Sequence, residues 1–121
     1  MTDHIAKDDS GKLQIHLVPT QIIRDIAEVR MYGNRKYGSP DNWKDVEVWR
    51  YLDALLRHIL CMMDDLYGVD AESGIPHYKH AACNMAFLCE MLRDPKATET
   101  MKARGCVRAT RDTIGGAMLR E

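Results

Sequence analysis

The stretch from Trp49 to Asn84 limits the fold more than any other part of the chain. Leu52, Leu55, Leu56, Ile59, Leu60, Met62 and Met63 occupy far more than one stripe of a helix predicted from about Asp45 or Val46 to Tyr67. A helix that is apolar nearly all round is buried nearly all round. In a chain of 121 residues, that requires a second subunit as well as the helix's own domain, which predicts a homo-oligomer. Gly68 stops the helix, and Asp70 to Pro76 form a compact loop. A further helix is expected from about His77 to Arg93, where Ala81, Ala82, Cys83, Met85, Ala86, Phe87, Leu88 and Met91 again signal heavy burial.

Upstream, residues 1–12 are polar and read as a flexible arm. Leu13, Ile15 and Leu17 then alternate with Gln14, His16 and Val18, a weak period of two that predicts an extended strap. Pro19 opens a helix in which Ile22, Ile23, Ile26, Ala27 and Val29 form an apolar stripe, with Gly33 or Gly38 at its end. The fold expected is all-α: three main helices with an N-terminal strap, assembled as an oligomeric helical bundle. The domain would cover residues 13–93, with a loosely ordered, partly helical tail over 94–121.

Composition removes several function classes. Net charge is −1, which excludes bulk electrostatic capture of long nucleic acid or an anionic membrane. No run approaches the roughly 18 apolar residues of a membrane span. The start has neither the apolar core of a secretory signal nor an Arg-rich amphipathic pattern. Cys61, Cys83, Cys89 and Cys106 include no CxxC pair and read as reduced core cysteines. A cytoplasmic protein is expected. No glycine-rich phosphate loop is present, because Ser10-Gly11-Lys12 lacks the remainder of that motif.

The polar residues of the central stretch carry the chemistry. Asp53 and Arg57 are four apart, and Arg50 lies three before Asp53 on the same face. Among apolar neighbours these charges form either an internal ion-pair network or a phosphate grip. His77 and His80 sit at i and i+3 at a helix start, with Asn84 one turn on. That spacing suits a metal or phosphate site, and it equally suits structural histidines. Glu28, Asp53 and Asp70 or Glu72 would suit Mg2+ if the helices bring them together.

Several motifs then stand in a recognisable order. They are Asp9-Ser10-Gly11-Lys12-Leu13, Val18-Pro19, Tyr32-Gly33, Lys36-Tyr37-Gly38, Asn42-Trp43, the run Arg50-Tyr51-Leu52-Asp53-Ala54-Leu55-Leu56-Arg57-His58, Glu72-Ser73-Gly74, and His77 with His80-Ala81-Ala82-Cys83-Asn84. Over about residues 7–92 the chain resembles the phage-encoded family named for the N-terminal domain of dATP/dGTP diphosphohydrolases. The resemblance implies cleavage of purine deoxynucleoside triphosphates to monophosphate and pyrophosphate with Mg2+, in the cytoplasm of a host cell.

On this reading Glu28, Asp53 and His58 are catalytic candidates, and Glu28, Asp53 and Asp70 hold the metal. Arg50, Arg57, His77 and His80 contact phosphates, Lys12 or Lys36 closes over them, and Tyr37 or Trp43 stacks on the base. Ser73 and Asn84 complete the ligand-binding set. Helical pyrophosphohydrolases of the MazG-like kind carry ExxE and ExxD pairs. Here Met31 stands three residues after Glu28, and Arg50 three before Asp53. The alternative expectation is therefore a non-catalytic sponge that sequesters a nucleotide signal of host anti-phage defence. A purely structural oligomer is the third.

Overall fold

The computed structural model describes residues 6–98. Three α-helices account for its regular structure: α1 (Gln21–Tyr37), α2 (Val48–Asp64) and α3 (His77–Met91). Short 3-10 turns occupy Ile15–Leu17, Asn42–Asp45 and Pro95–Thr98. No strand occurs among the described residues, and no helix there is long and apolar enough to cross a membrane. The protein is all-α. The tail beyond Thr98, including Cys106, lies outside the described residues.

α3 is the centre of the fold, because α1 and α2 each pack against it. On one side Cys83 joins Val29 of α1 and Ile75 of the preceding loop, flanked by Ile26, Tyr32 and Phe87. On the other, Leu88 joins Val48 and Leu55 of α2, flanked by Tyr51, Leu52, Ala81 and Met91. The small residues along α3 let both neighbours approach.

α1 ends where Gly38 adopts φ +66°, donating its N–H to the Asn34 carbonyl at 2.9 Å. A side chain would be strained in that left-handed cap. The chain then crosses to α2 under an aromatic clamp. Trp43 stacks on Phe87 with centroids 4.7 Å apart, and the Tyr51 hydroxyl donates to the Trp43 carbonyl at 2.9 Å. Arg30 lays its guanidinium over the same Phe87 ring at 5.2 Å and donates to the Pro40 carbonyl.

Two expectations change. The period-two segment does not form an extended strap: Ile15–Leu17 is a 3-10 turn, and Leu13 is 88% exposed. A single extended segment has no partner for its backbone groups here, so a local turn satisfies them instead. Only Cys83 of the described cysteines is a core residue, since Cys61 and Cys89 are exposed.

Leu88 is 3% exposed between α2 and α3. Leu88→Ala should therefore lower unfolding free energy by about 2–5 kcal/mol, measured by urea denaturation.

Candidate functional site

Where α2 and α3 meet the loop between them, three imidazoles converge. His58 comes from the middle of α2, and His77 and His80 come from the first turn of α3. His58 Nδ1 lies 2.8 Å from His77 Nδ1. The His58 and His80 rings are stacked, 4.8 Å apart and 8° from parallel. All three are half-buried.

The loop is folded to meet them. An isolated bridge pairs Val69 with Pro76, and Asp70 N–H donates to the Ile75 carbonyl at 2.9 Å. Inside this closed loop Ser73 N–H donates to Asp70 Oδ2 at 2.9 Å, and Ile75 N–H donates to Ser73 Oγ at 3.1 Å. Ser73 Oγ also hydrogen-bonds His80 Nε2 at 2.7 Å, and Asp70 Oδ2 stands 4.0 Å from the same nitrogen. His77 N–H closes the base of the loop on the Gly68 carbonyl at 3.0 Å. A Cβ at Gly68 would stand only 3.2 Å from the Asp65 carbonyl oxygen, with the His77 ring next to it in ordinary contact at 3.4 Å.

Burial, reinforced by the neighbouring His80 and His77, holds the His58 imidazole below its ordinary value. Burial does the same to His80, against the pull of Asp70. For Asp70, burial works to raise the value, but two hydrogen bonds from Ser73 and the nearby imidazoles outweigh it and leave it lowered. At neutral pH the site therefore holds neutral His58 and His80 beside an ionised Asp70. His58, Asp70 and His77 bring one potential ligand atom each to within 4.8 Å of one another.

The other expected site residues fall elsewhere. Glu28 is paired with Lys79 of α3 at 2.9 Å, and Asp53 is exposed on α2. Glu28, Asp53 and Asp70 form no group of mutually close ligand atoms among the described residues. Arg50 and Arg57 are likewise exposed, and no ion pair joins either to Asp53. The buried network anticipated from their spacing is absent, because that side of α2 is not covered by α3. Lys36 is engaged by Glu72 at 2.5 Å and stands over the Tyr37 ring, which is exposed. Trp43 is stacked on Phe87 beside a groove of about 360 Å3 that no member of the imidazole cluster lines. Asn84 is buried and donates to the His80 carbonyl at 2.9 Å, bracing α3. Lys12 is exposed in the lead-in segment.

One pair escaped the sequence reading. Asp25, three residues before Glu28, is buried on α1, where it accepts from Gln21 Nε2 at 3.0 Å. The Lys79 ammonium lies 3.6 Å from Asp25 and 2.9 Å from Glu28. The i, i+3 spacing of the two carboxylates was the available signal.

The family model for "dATP/dGTP diphosphohydrolase, N-terminal" matches residues 2–101. A protein of Salmonella phage PMBT28 named dATP/dGTP diphosphohydrolase is 29% identical over 109 residues, covering 90% of this chain and 37% of the relative. The chain thus spans little more than a third of that relative's length. No solved structure matches.

A histidine whose folded value is depressed binds fewer protons in the native state than unfolded. Stability is then fully present above the unfolded value of about 6.5 and falls as the pH drops below it. Melting temperature should fall between about pH 7.5 and 5.5, and His58→Gln with His80→Gln should flatten that slope.

Proposed function

The chain belongs to the family of dATP/dGTP diphosphohydrolase N-terminal domains, and from that premise we propose that it handles purine deoxynucleoside triphosphates at the His58–Asp70–Ser73–His77–His80 cluster. The observation that carries this reading is the cluster itself. Five polar side chains from two helices and a loop converge at the α2–α3 junction, apart from the apolar clusters that pack the helices. Burial keeps His58 and His80 unprotonated at neutral pH, the form needed to accept a proton from water.

The reaction proposed is hydrolysis of dATP or dGTP to monophosphate and pyrophosphate. A water oxygen attacks the α-phosphorus, the bond to the bridging oxygen of the β-phosphate breaks, and pyrophosphate leaves. The water's proton passes to an imidazole of the cluster. Arg57, exposed next to His58 in sequence, and Arg50, two turns before it, are the cations available for the phosphates. The Mg2+ implied by the family does not fit the assembled donors: two imidazoles and one carboxylate are a poor set for a hard cation that prefers oxygen. The Asp25 and Glu28 carboxylates are meanwhile engaged by the one Lys79 ammonium.

Incubating the chain with dATP and dGTP and resolving products by chromatography tests the reading. Monophosphate and pyrophosphate in equal amounts are expected, with turnover reduced about 10²–10⁴-fold in His58→Ala. Tight binding with the nucleotide recovered intact would make the domain a sponge. Neither turnover nor thermal stabilisation by either nucleotide would overturn the proposal.

A second reading concerns assembly. Leu56, Ile59, Leu60 and Met63 recur on one side of α2 at helical spacing, and all are exposed, Leu60 by 60% and Met63 by 76%. We propose that a second copy of the chain covers this stripe. Light scattering should return at least a dimer, and Leu60→Glu with Met63→Glu should yield monomers.

A further inference from the structure

We propose that His58, His77 and Asp70 form a binding site for a divalent first-row transition-metal ion, and that Mg2+ is not its ion. The three ligand atoms come from α2, from α3 and from the loop joining them, and all lie within 4.8 Å of one another. Two imidazole nitrogens and a carboxylate oxygen suit borderline ions such as Zn2+, Co2+ or Fe2+. Three protein ligands leave positions open for water or a phosphate oxygen.

The approach of the two rings supports this use. His58 Nδ1 and His77 Nδ1 are 2.8 Å apart, whereas two nitrogens on one tetrahedral ion, each about 2.0–2.1 Å from it, stand roughly 3.3 Å apart. Seating an ion therefore asks the rings to separate by about half an ångström. Without the ion, one ring must donate its Nδ1 proton and the other accept it, so binding displaces that proton.

The surroundings hold the ligands in place. His80 stacks on the His58 ring and is itself tied to Ser73 Oγ. Ser73 N–H fixes the Asp70 carboxylate from within the closed loop. Partners of this kind orient metal ligands in a way that isolated surface histidines lack.

The oxygen-rich alternative is already occupied. Asp25 and Glu28 share the Lys79 ammonium, and Glu72 is engaged by Lys36. Asp70 is thus the carboxylate left beside the imidazoles.

The test uses the full chain, stripped of metal with a chelator, and no nucleotide. Aliquots are dialysed against Co2+, Zn2+ or Mg2+, and bound metal is counted by elemental analysis beside a melting curve. About one Co2+ per chain and a raised melting temperature are expected, with neither effect from Mg2+. His77→Asn and Asp70→Asn should each weaken Co2+ binding at least about tenfold, with the far-ultraviolet circular dichroism of the metal-free chain unchanged. Should a variant unfold, side-chain nitrogen NMR of the wild-type chain during Zn2+ titration replaces it. The His58 and His77 signals should then move while that of exposed His16 stays.

Equal binding of Mg2+ and Co2+, full affinity in folded variants, or unmoved His58 and His77 signals would each overturn the proposal. So would loss of all binding in a Cys61→Ser, Cys83→Ser, Cys89→Ser, Cys106→Ser chain that still folds. Metal binding with neither turnover nor thermal stabilisation by a nucleotide would sink the nucleotide reading alone, and Mg2+-dependent turnover without Co2+ binding would sink the metal site alone.

Discussion

Burial of α3 on two sides is the constraint on which the rest of the structure depends. A helix covered by α1 on one flank and α2 on the other must carry small or apolar residues on both, and Ala81, Cys83, Phe87 and Leu88 meet that need. Its first turn lies where the loop from α2 returns, so the imidazoles of His77 and His80 meet His58 rather than open solvent. Polar groups taken out of water need partners, and the loop supplies them through Asp70 and Ser73. Core and candidate site are therefore one arrangement: the packing that buries Leu88 also fixes the start of α3.

Charge is sorted by the same packing. Lys79 faces α1 and takes both Asp25 and Glu28, while Lys36 at the end of α1 reaches across to Glu72 of the loop. The Glu72 carboxylate, held first by Lys36 and then by the Tyr32 hydroxyl, lies below its usual range. These contacts tether the loop to α1, and Tyr32 also meets the His80 ring edge-on, with centroids 6.5 Å apart. With Asp25, Glu28 and Glu72 engaged by lysines, the chemistry left available at the α2–α3 junction is that of the imidazoles and Asp70. Arg50, Asp53 and Arg57 remain on an outer side of α2.

Several parts of this arrangement were legible in the residues. The break at Gly38, the helix start at His77 and the apolar stripes follow from local chemistry, and all three helices form close to the expected places, although α2 ends at Asp64, ahead of the stop expected at Gly68. His77 and His80 stand out by spacing, and Asp70 and Ser73 by their place in a tight loop. Less accessible was the pairing of charges. Asp53 and Arg57 look like partners because four residues separate them, yet spacing along one helix cannot say whether its face is covered. Lys79 passes for an ordinary surface lysine until α1 is packed against α3 and its ammonium meets two carboxylates.

The sequence by itself determined the all-α class, the approximate helix limits and the concentration of imidazoles near one loop, because propensity, caps and periodicity act over a few residues. Tertiary structure alone decided which side chains meet. It placed His58 against His77 across 19 positions of chain and Lys79 against Glu28 across 51. It also left Leu60 and Met63 open where the pattern called for burial. Such contacts depend on which faces of the helices oppose one another, and that is set by packing volume and the fold of the connecting loop rather than by any local run of residues.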